Sequence, residues 1–191
     1  MKNIQFLFFL VSFLLVGCGA GEQMSVKQYN LFFKTKDRDL EKMLEKFAAR
    51  FNTEAGIQVL NIVDDVNAAN SVVSFRKGVE VKEGKLGYGQ AVYRTVSEAV
   101  SPSMEVPGAT TYYSMALEFD YDFMKVRSRL NDGDPEYERA VLLFYHEAGH
   151  GLTFDHASKD DERSVMYPWI NSAENIDYES FFLDVNSFMS E

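Results

Sequence analysis

The chain has 191 residues, of which 46% are hydrophobic and 14% aromatic, enough to build the packed core of one domain. Its net charge is −10, from 19 lysines and arginines against 29 acidic residues. A chain this acidic, without a basic run, is not expected to bind nucleic acid. The single cysteine excludes an intrachain disulfide and a zinc site built from cysteines.

The N-terminus has the pattern of an export signal. Lys2 precedes an apolar run over residues 4–16 that is too short to span a bilayer. The run ends in Leu-Val-Gly-Cys at residues 15–18, which resembles the lipobox of bacterial lipoproteins. The alternative is an ordinary signal peptide followed by a buried free cysteine.

The lipobox resemblance implies a signal peptide over residues 1–17 and an acylated (palmitoylated) Cys18. Residues 18–25 then form a short tether, and residues 26–191 form a single domain. The mature protein would be anchored to a membrane of the bacterial cell envelope. Because Gly19 follows the cysteine, this would be the outer membrane where the host has one.

The first half of the remaining chain predicts strands around one helix. Residues 29–33 alternate apolar and polar side chains, as a strand does. Asp37 is placed to cap a helix that ends at Gly56, and apolar residues recur inside it at helical spacing. Three further strands are predicted at residues 57–63, 72–75 and 86–95.

The second half predicts a loop, a strand and two helices. Residues 97–111 predict a long loop, and residues 115–123 alternate as a half-buried strand does. Residues 131–135 resemble a calcium loop without its ligand pattern and are interpreted as a turn, with Asp134 capping the next helix. Apolar residues over 178–188 predict a C-terminal helix. The element order is that of an α+β fold.

All three histidines fall within the segment His-Glu-Ala-Gly-His-Gly-Leu-Thr-Phe-Asp-His, residues 146–156. The i, i+4 spacing of His146 and His150 puts both imidazoles on one helical face, where they can bind one Zn²⁺. Glu147 is offset by about 100° around the helix, which is the place for a general base acting on a zinc-activated water. Gly151 is expected to loosen the helix so that His156 becomes the third ligand. Three protein ligands leave a fourth position open, as in catalytic zinc sites.

After the third histidine the chain reads Ser-Val-Met-Tyr-Pro at residues 164–168, with Met166 ten residues beyond His156. Together with the histidines, this resembles the metzincin metallopeptidases, whose Met-containing turn lies beneath the zinc, and it is most similar to the matrixin branch. The resemblance implies a zinc endopeptidase with Met166 as the floor of the site. It also implies a metzincin-like catalytic domain, a mixed twisted sheet with an active-site helix and a C-terminal helix. An edge strand, expected at residues 86–94, would pair with an extended peptide substrate.

The match has departures that mark an outlier branch. The family has glycine where this chain has Thr153, and a β-branched residue is a poor substitute where φ is positive. Ala157 follows the third histidine, and Pro168 takes the place of the tyrosine that serves as a fifth ligand in some branches. A need for calcium is not indicated either way.

Two other functions remain open. A gluzincin-type zinc peptidase would take a distant acidic ligand, for which Glu174 and Glu179 are spaced suitably. A lipoprotein that binds a partner without catalysis is the alternative from another class. Glu147 argues against it, because metal binding alone needs no base at that position.

Overall fold

The computed structural model describes residues 29–78, 89–98, 110–168 and 173–191. The predictions for the signal peptide, Cys18 and the tether lie outside these residues.

A five-stranded mixed sheet forms the centre of the fold. In sheet order the strands are β2, β1, β3, β5 and β4. The first four run parallel, and β4 runs antiparallel to β5 and is the last strand of the described sheet. The strand bounds are β1 Tyr29–Phe33, β2 Leu60–Ile62, β3 Ser71–Arg76, β4 Gly89–Glu98 and β5 Thr110–Asp120.

Four α-helices accompany the described strands: α1 Arg38–Ala55, α2 Tyr121–Arg127, α3 Pro135–Gly151 and α4 Tyr178–Ser190. The predicted caps of α1 and α3 are confirmed. Asp37 accepts hydrogen bonds from the first turn of α1, and Gly56 ends that helix with φ of 69°. Asp134 accepts from the N–H of Glu136 at 2.9 Å, so residues 131–135 form the predicted turn.

The core lies between one face of the sheet and the helices α1 and α3. Alternate residues of the strands, such as Leu31, Val73 and Leu117, are completely buried on this face. An aromatic cluster joins α1, α3 and α4. In it the Phe51 ring lies 5.2 Å from the Tyr145 ring and 5.1 Å from the Phe182 ring. Such edge-to-face pairs fix the relative placement of the three helices.

Three predicted boundaries are wrong. The strand predicted over residues 115–123 ends at Asp120, whose carboxylate accepts a hydrogen bond from the N–H of Phe123 at 2.6 Å and so caps α2. Residues 97–98 and 110–111, predicted as part of a long loop over 97–111, belong to the β4–β5 ladder, in which Ser97 pairs with Thr111. The strand predicted over residues 57–63 is confined to Leu60–Ile62.

The predicted mixture of sheet and helices is confirmed, and it is consistent with an α+β fold. The strand predicted over residues 86–95 corresponds to β4, although residues 86–88 lie outside the described part. Among the helices that are described, none is both long enough and apolar enough to span a membrane.

Candidate metal centre

Helix α3 places the first two histidines. It is buried along most of its length, with Val141, Phe144 and Tyr145 fully enclosed by the sheet and neighbouring helices. His146 and His150 extend from successive turns of its last part, with ring centroids 4.7 Å apart. His146 is only 6% exposed, so the core holds its imidazole in place.

A Schellman motif turns the chain after α3. Leu152 is the C-cap, the N–H of Thr153 donates to the carbonyl of His150, and the N–H of Phe154 donates to the carbonyl of Gly149. Thr153 occupies the position after the cap with φ of 77°. Threonine therefore adopts the left-handed conformation that the glycine of the family pattern would adopt without strain.

The sharp turn that Thr153 makes brings His156 back toward α3. The expected role of Gly151 is wrong, because this residue is the last residue of the helix and does not loosen it. Its missing side chain instead makes room for Met115 of β5. A Cβ at Gly151 would lie 2.8 Å from the Met115 sulfur.

The three histidines form one compact group. One nitrogen of each lies within 4.8 Å of the others, and Nε2 of His150 lies 3.1 Å from Nε2 of His156. Two nitrogens bound to one tetrahedral zinc at 2.0–2.1 Å would be about 3.3 Å apart, so this separation fits a shared ion. The group could therefore hold a metal ion, and imidazole nitrogens suit zinc.

Two backbone carbonyls orient the first two imidazoles. Nδ1 of His146 lies 2.8 Å from the carbonyl oxygen of Val165, and Nδ1 of His150 lies 2.8 Å from that of Phe154. A carbonyl oxygen only accepts, so each Nδ1 carries the proton and donates. Each Nε2 then keeps its lone pair for a metal, which is the usual arrangement around ligating histidines.

The surroundings of His146 also favour the neutral ring that binds metal. Burial lowers the pKa of His146 to about 4, and the neighbouring His150 and His156 act in the same direction. The ring therefore stays neutral and able to coordinate at physiological pH.

Glu147 follows His146 in α3 and is 5% exposed. Burial raises the pKa of its carboxyl to about 7. Within the described chain its carboxylate has no hydrogen-bond or ion-pair partner, unlike carboxylates that stabilise a fold. A buried, unpaired carboxyl with a pKa near neutrality has the properties of a proton-transfer group.

Met166 lies against the backbone of α3. Its sulfur is close to the position that a Cβ of Gly149 would occupy, and Phe181 lies 3.1 Å from that position on the other side. Gly149 stands between the two helical histidines in the sequence, and its missing side chain lets Met166 pack against the helix that carries them. Met166 is 6% exposed.

A short turn holds Met166 and links it to the third histidine. The N–H of Tyr167 donates to the carbonyl of Ser164, and the N–H of Met166 donates to the Ser164 hydroxyl at 3.1 Å. The carbonyl of Met166 accepts from the N–H of Ala157, next to His156, at 2.9 Å. The segment 164–168 therefore contains a turn over residues 164–167, and this turn is hydrogen-bonded to the histidine segment.

The sequence did not indicate Ser164, Asp177 or the two orienting carbonyls as parts of the site. Asp177 caps α4, pairs with Ser164 as a short β-bridge and donates its N–H to the carbonyl of Arg163. A serine at position 164 could have been recognised, because a serine hydroxyl commonly accepts a hydrogen bond from the backbone N–H two residues later. The carbonyls of Val165 and Phe154 give no sequence signal, because any residue supplies one.

The acidic residues of the gluzincin alternative are not with the histidines. Glu174 and Glu179 are exposed, and neither belongs to the group of metal-ligating side chains found in the described residues. The structure thus brings His146, His150 and His156 together without an acidic ligand.

Comparison with known proteins gives no family assignment. The chain matches no family model, and no curated protein is significantly similar to it. The three-histidine group, with the turn and the carboxyl beside it, is therefore the observation on which function is argued.

Proposed function

We propose that the protein is a zinc-dependent endopeptidase of the metzincin type, with His146, His150 and His156 as ligands and Glu147 as general base. The observation that carries the proposal is the compact histidine group beside a buried carboxyl that no other described group binds. Bound zinc would supply a Lewis acid that lowers the pKa of water and polarises a carbonyl.

The residues of the chain have separate tasks in this proposal. Val165 and Phe154 hold the imidazoles of His146 and His150 so that Nε2 faces the ion. Glu147 takes a proton from the attacking water and gives it to the leaving amine, for which a pKa near 7 is well matched. The burial of His146 and Glu147 strengthens the electrostatic interactions of these two side chains by limiting water around them.

The sheet supports an extended peptide as substrate. β4 is the terminal strand of the described sheet and lies against α3. Met115, which touches Gly151 at the end of α3, pairs with Tyr93 in the middle of β4. β4 thus lies close to the helix that carries His146 and His150, and an edge strand binds an extended peptide through main-chain hydrogen bonds.

The proposal is tested by cleavage of a mixed peptide library, with mass-spectrometric detection of the products. We expect zinc-loaded protein to cut internal bonds, and we expect a chelator to stop cleavage until zinc is restored. His146→Ala is the matched control for zinc dependence, because it removes one of the proposed zinc ligands on α3. Chelator-resistant cleavage, or none with fully loaded protein, would contradict the proposal.

We also propose that the protein is a lipoprotein held in the bacterial cell envelope through Cys18. The support is the sequence of residues 1–18. Labelling with radioactive palmitate in a bacterial host should mark the wild type and leave Cys18→Ser unmarked. Several acyl chains predict membrane association that survives a salt wash. Wild-type protein with an unmodified Cys18 would overturn the anchor and leave the peptidase proposal untouched.

A further inference from the structure

An open groove runs between α4 and the segment that carries the third histidine. Its volume is about 710 Å³. Asp155 and Ala157, on either side of His156, line one wall, and Asp184 and Phe188 of α4 line the other. Met166 also lines it, so the groove shares a residue with the candidate metal centre.

The rim of the groove carries charge of one sign. Five carboxylates line it, and no lysine or arginine does so within the described residues. They are Asp155, Asp161, Asp177, Asp184 and the C-terminal residue Glu191. Asp177 is used in capping α4, but Asp155, Asp161 and Asp184 are exposed and form no ion pair with another described residue. Asp155, Asp161 and Asp184 are therefore available to bind positively charged groups of another molecule.

The spacing of the carboxylates argues against a single bound cation. No three of these carboxylates have oxygen atoms within 4.8 Å of one another, the distance within which the three histidine nitrogens lie. They therefore do not form one coordination shell. Charges spread along a groove instead match several cationic groups carried on one molecule.

The floor of the groove is apolar. Phe154, Phe181 and Phe188 line it, and the Phe154 ring lies 6.0 Å from each of the other two. A ligand that carries both apolar and cationic side chains would contact floor and rim together. A polypeptide segment in which leucine-like and lysine-like residues alternate has this chemistry.

We infer that this groove binds a cationic, amphipathic polypeptide segment, and that it is a docking site beside the metal centre. The inference rests on the proposed function in one respect only: the bound segment would be part of a peptidase substrate. Binding to the groove does not require cleavage, so the two claims can fail separately.

The test uses a fluorescent peptide of alternating leucine and lysine, with binding followed by anisotropy. The protein carries Glu147→Gln in every case, so that the probe is not consumed. Asp161→Lys combined with Asp184→Lys reverses two exposed rim charges and leaves their backbone hydrogen bonds intact. Glu45→Lys combined with Asp64→Lys is the control, because both residues are exposed, lie elsewhere and change the net charge equally.

We expect the rim variant to bind the peptide roughly tenfold more weakly than the parent at low salt, with the control near the parent. Binding should weaken as salt rises, and a control peptide with glutamate in place of every lysine should not bind. The inference is overturned if the control loses as much affinity as the rim variant, or if the rim variant binds unchanged. Stoichiometric displacement of the peptide by calcium would also overturn it, in favour of a cation site. If the peptide binds as expected but wild-type protein never cleaves any peptide, the docking site stands and the peptidase proposal falls.

Discussion

Replacing Thr153 with glycine should stabilise the protein. Thr153 has φ of 77° at the position after the C-cap of α3, where glycine is the usual residue. Its side chain is exposed, so removing it sacrifices little buried surface. The two hydrogen bonds of the Schellman motif come from backbone N–H groups and are kept in the variant.

The magnitude follows from two opposing terms. A left-handed conformation costs a residue with a side chain roughly 1–2 kcal/mol, which glycine does not incur. Glycine also makes the unfolded chain more flexible, which costs about 0.4–1 kcal/mol. The net stabilisation is therefore about 0–1.6 kcal/mol, with a central value of about 0.8 kcal/mol. With a urea m value of about 2 kcal/mol per molar, the central value raises the unfolding midpoint by about 0.4 M.

Urea unfolding of metal-free protein measures this change, and Asn175→Gly supplies the control. Asn175 is also exposed and has φ of 59°, but asparagine tolerates this conformation, so its replacement should give no gain. Zinc affinity should be unchanged in Thr153→Gly, because the turn that carries His156 keeps its shape. A lower midpoint for Thr153→Gly, or an equal rise for both variants, would show that the left-handed conformation of Thr153 does not destabilise the protein.

Gly149→Ala should destabilise the protein by about 1–3 kcal/mol and weaken zinc binding, because the new methyl group displaces Met166. Urea unfolding measures the loss of stability, and a zinc competition assay measures the loss of affinity. Gly151→Ala should cost similar stability through Met115 with less effect on zinc, and the reverse order of zinc affinities would contradict the role of Met166. Stability should also fall as pH drops from about 4 to 2, because hydrogen bonds, chiefly from Lys125, hold the pKa of Asp37 at about 2, below its usual 3.8. Asp37→Asn should be less stable at neutral pH, and its stability should fall less between about pH 4 and pH 2 than that of the wild type. If the slope of the urea midpoint against pH is unchanged in this variant, Asp37 is not responsible.

The sequence predicted the parts of the fold that local chemistry decides. Helix α1 was recognisable because its cap, its apolar spacing and its terminal Gly56 all agree. The strand predicted to Phe123 failed because apolar alternation continues past Asp120, while the carboxylate of Asp120 starts a helix. The parallel pairing of β1 with both β2 and β3 is decided by long-range packing, and no short pattern encodes it.

The candidate site divides in the same way. The spacing of His146, His150 and Glu147 follows from helix geometry and could be predicted. The placement of His156 could not be derived, because it depends on a left-handed Thr153 that the sequence alone disfavours. The role of Gly149 depends on Met166, which is distant in the sequence and close only after folding.

The most direct measurement for the central claim is the turnover of zinc-loaded Glu147→Gln on a peptide that the wild type cleaves, with zinc content determined on the same sample. The substitution keeps the size of the side chain and removes the base, and the histidine ligands are intact. We expect full zinc content and turnover reduced roughly 10²–10⁴-fold. Cleavage at the wild-type rate by the fully loaded variant would contradict this expectation.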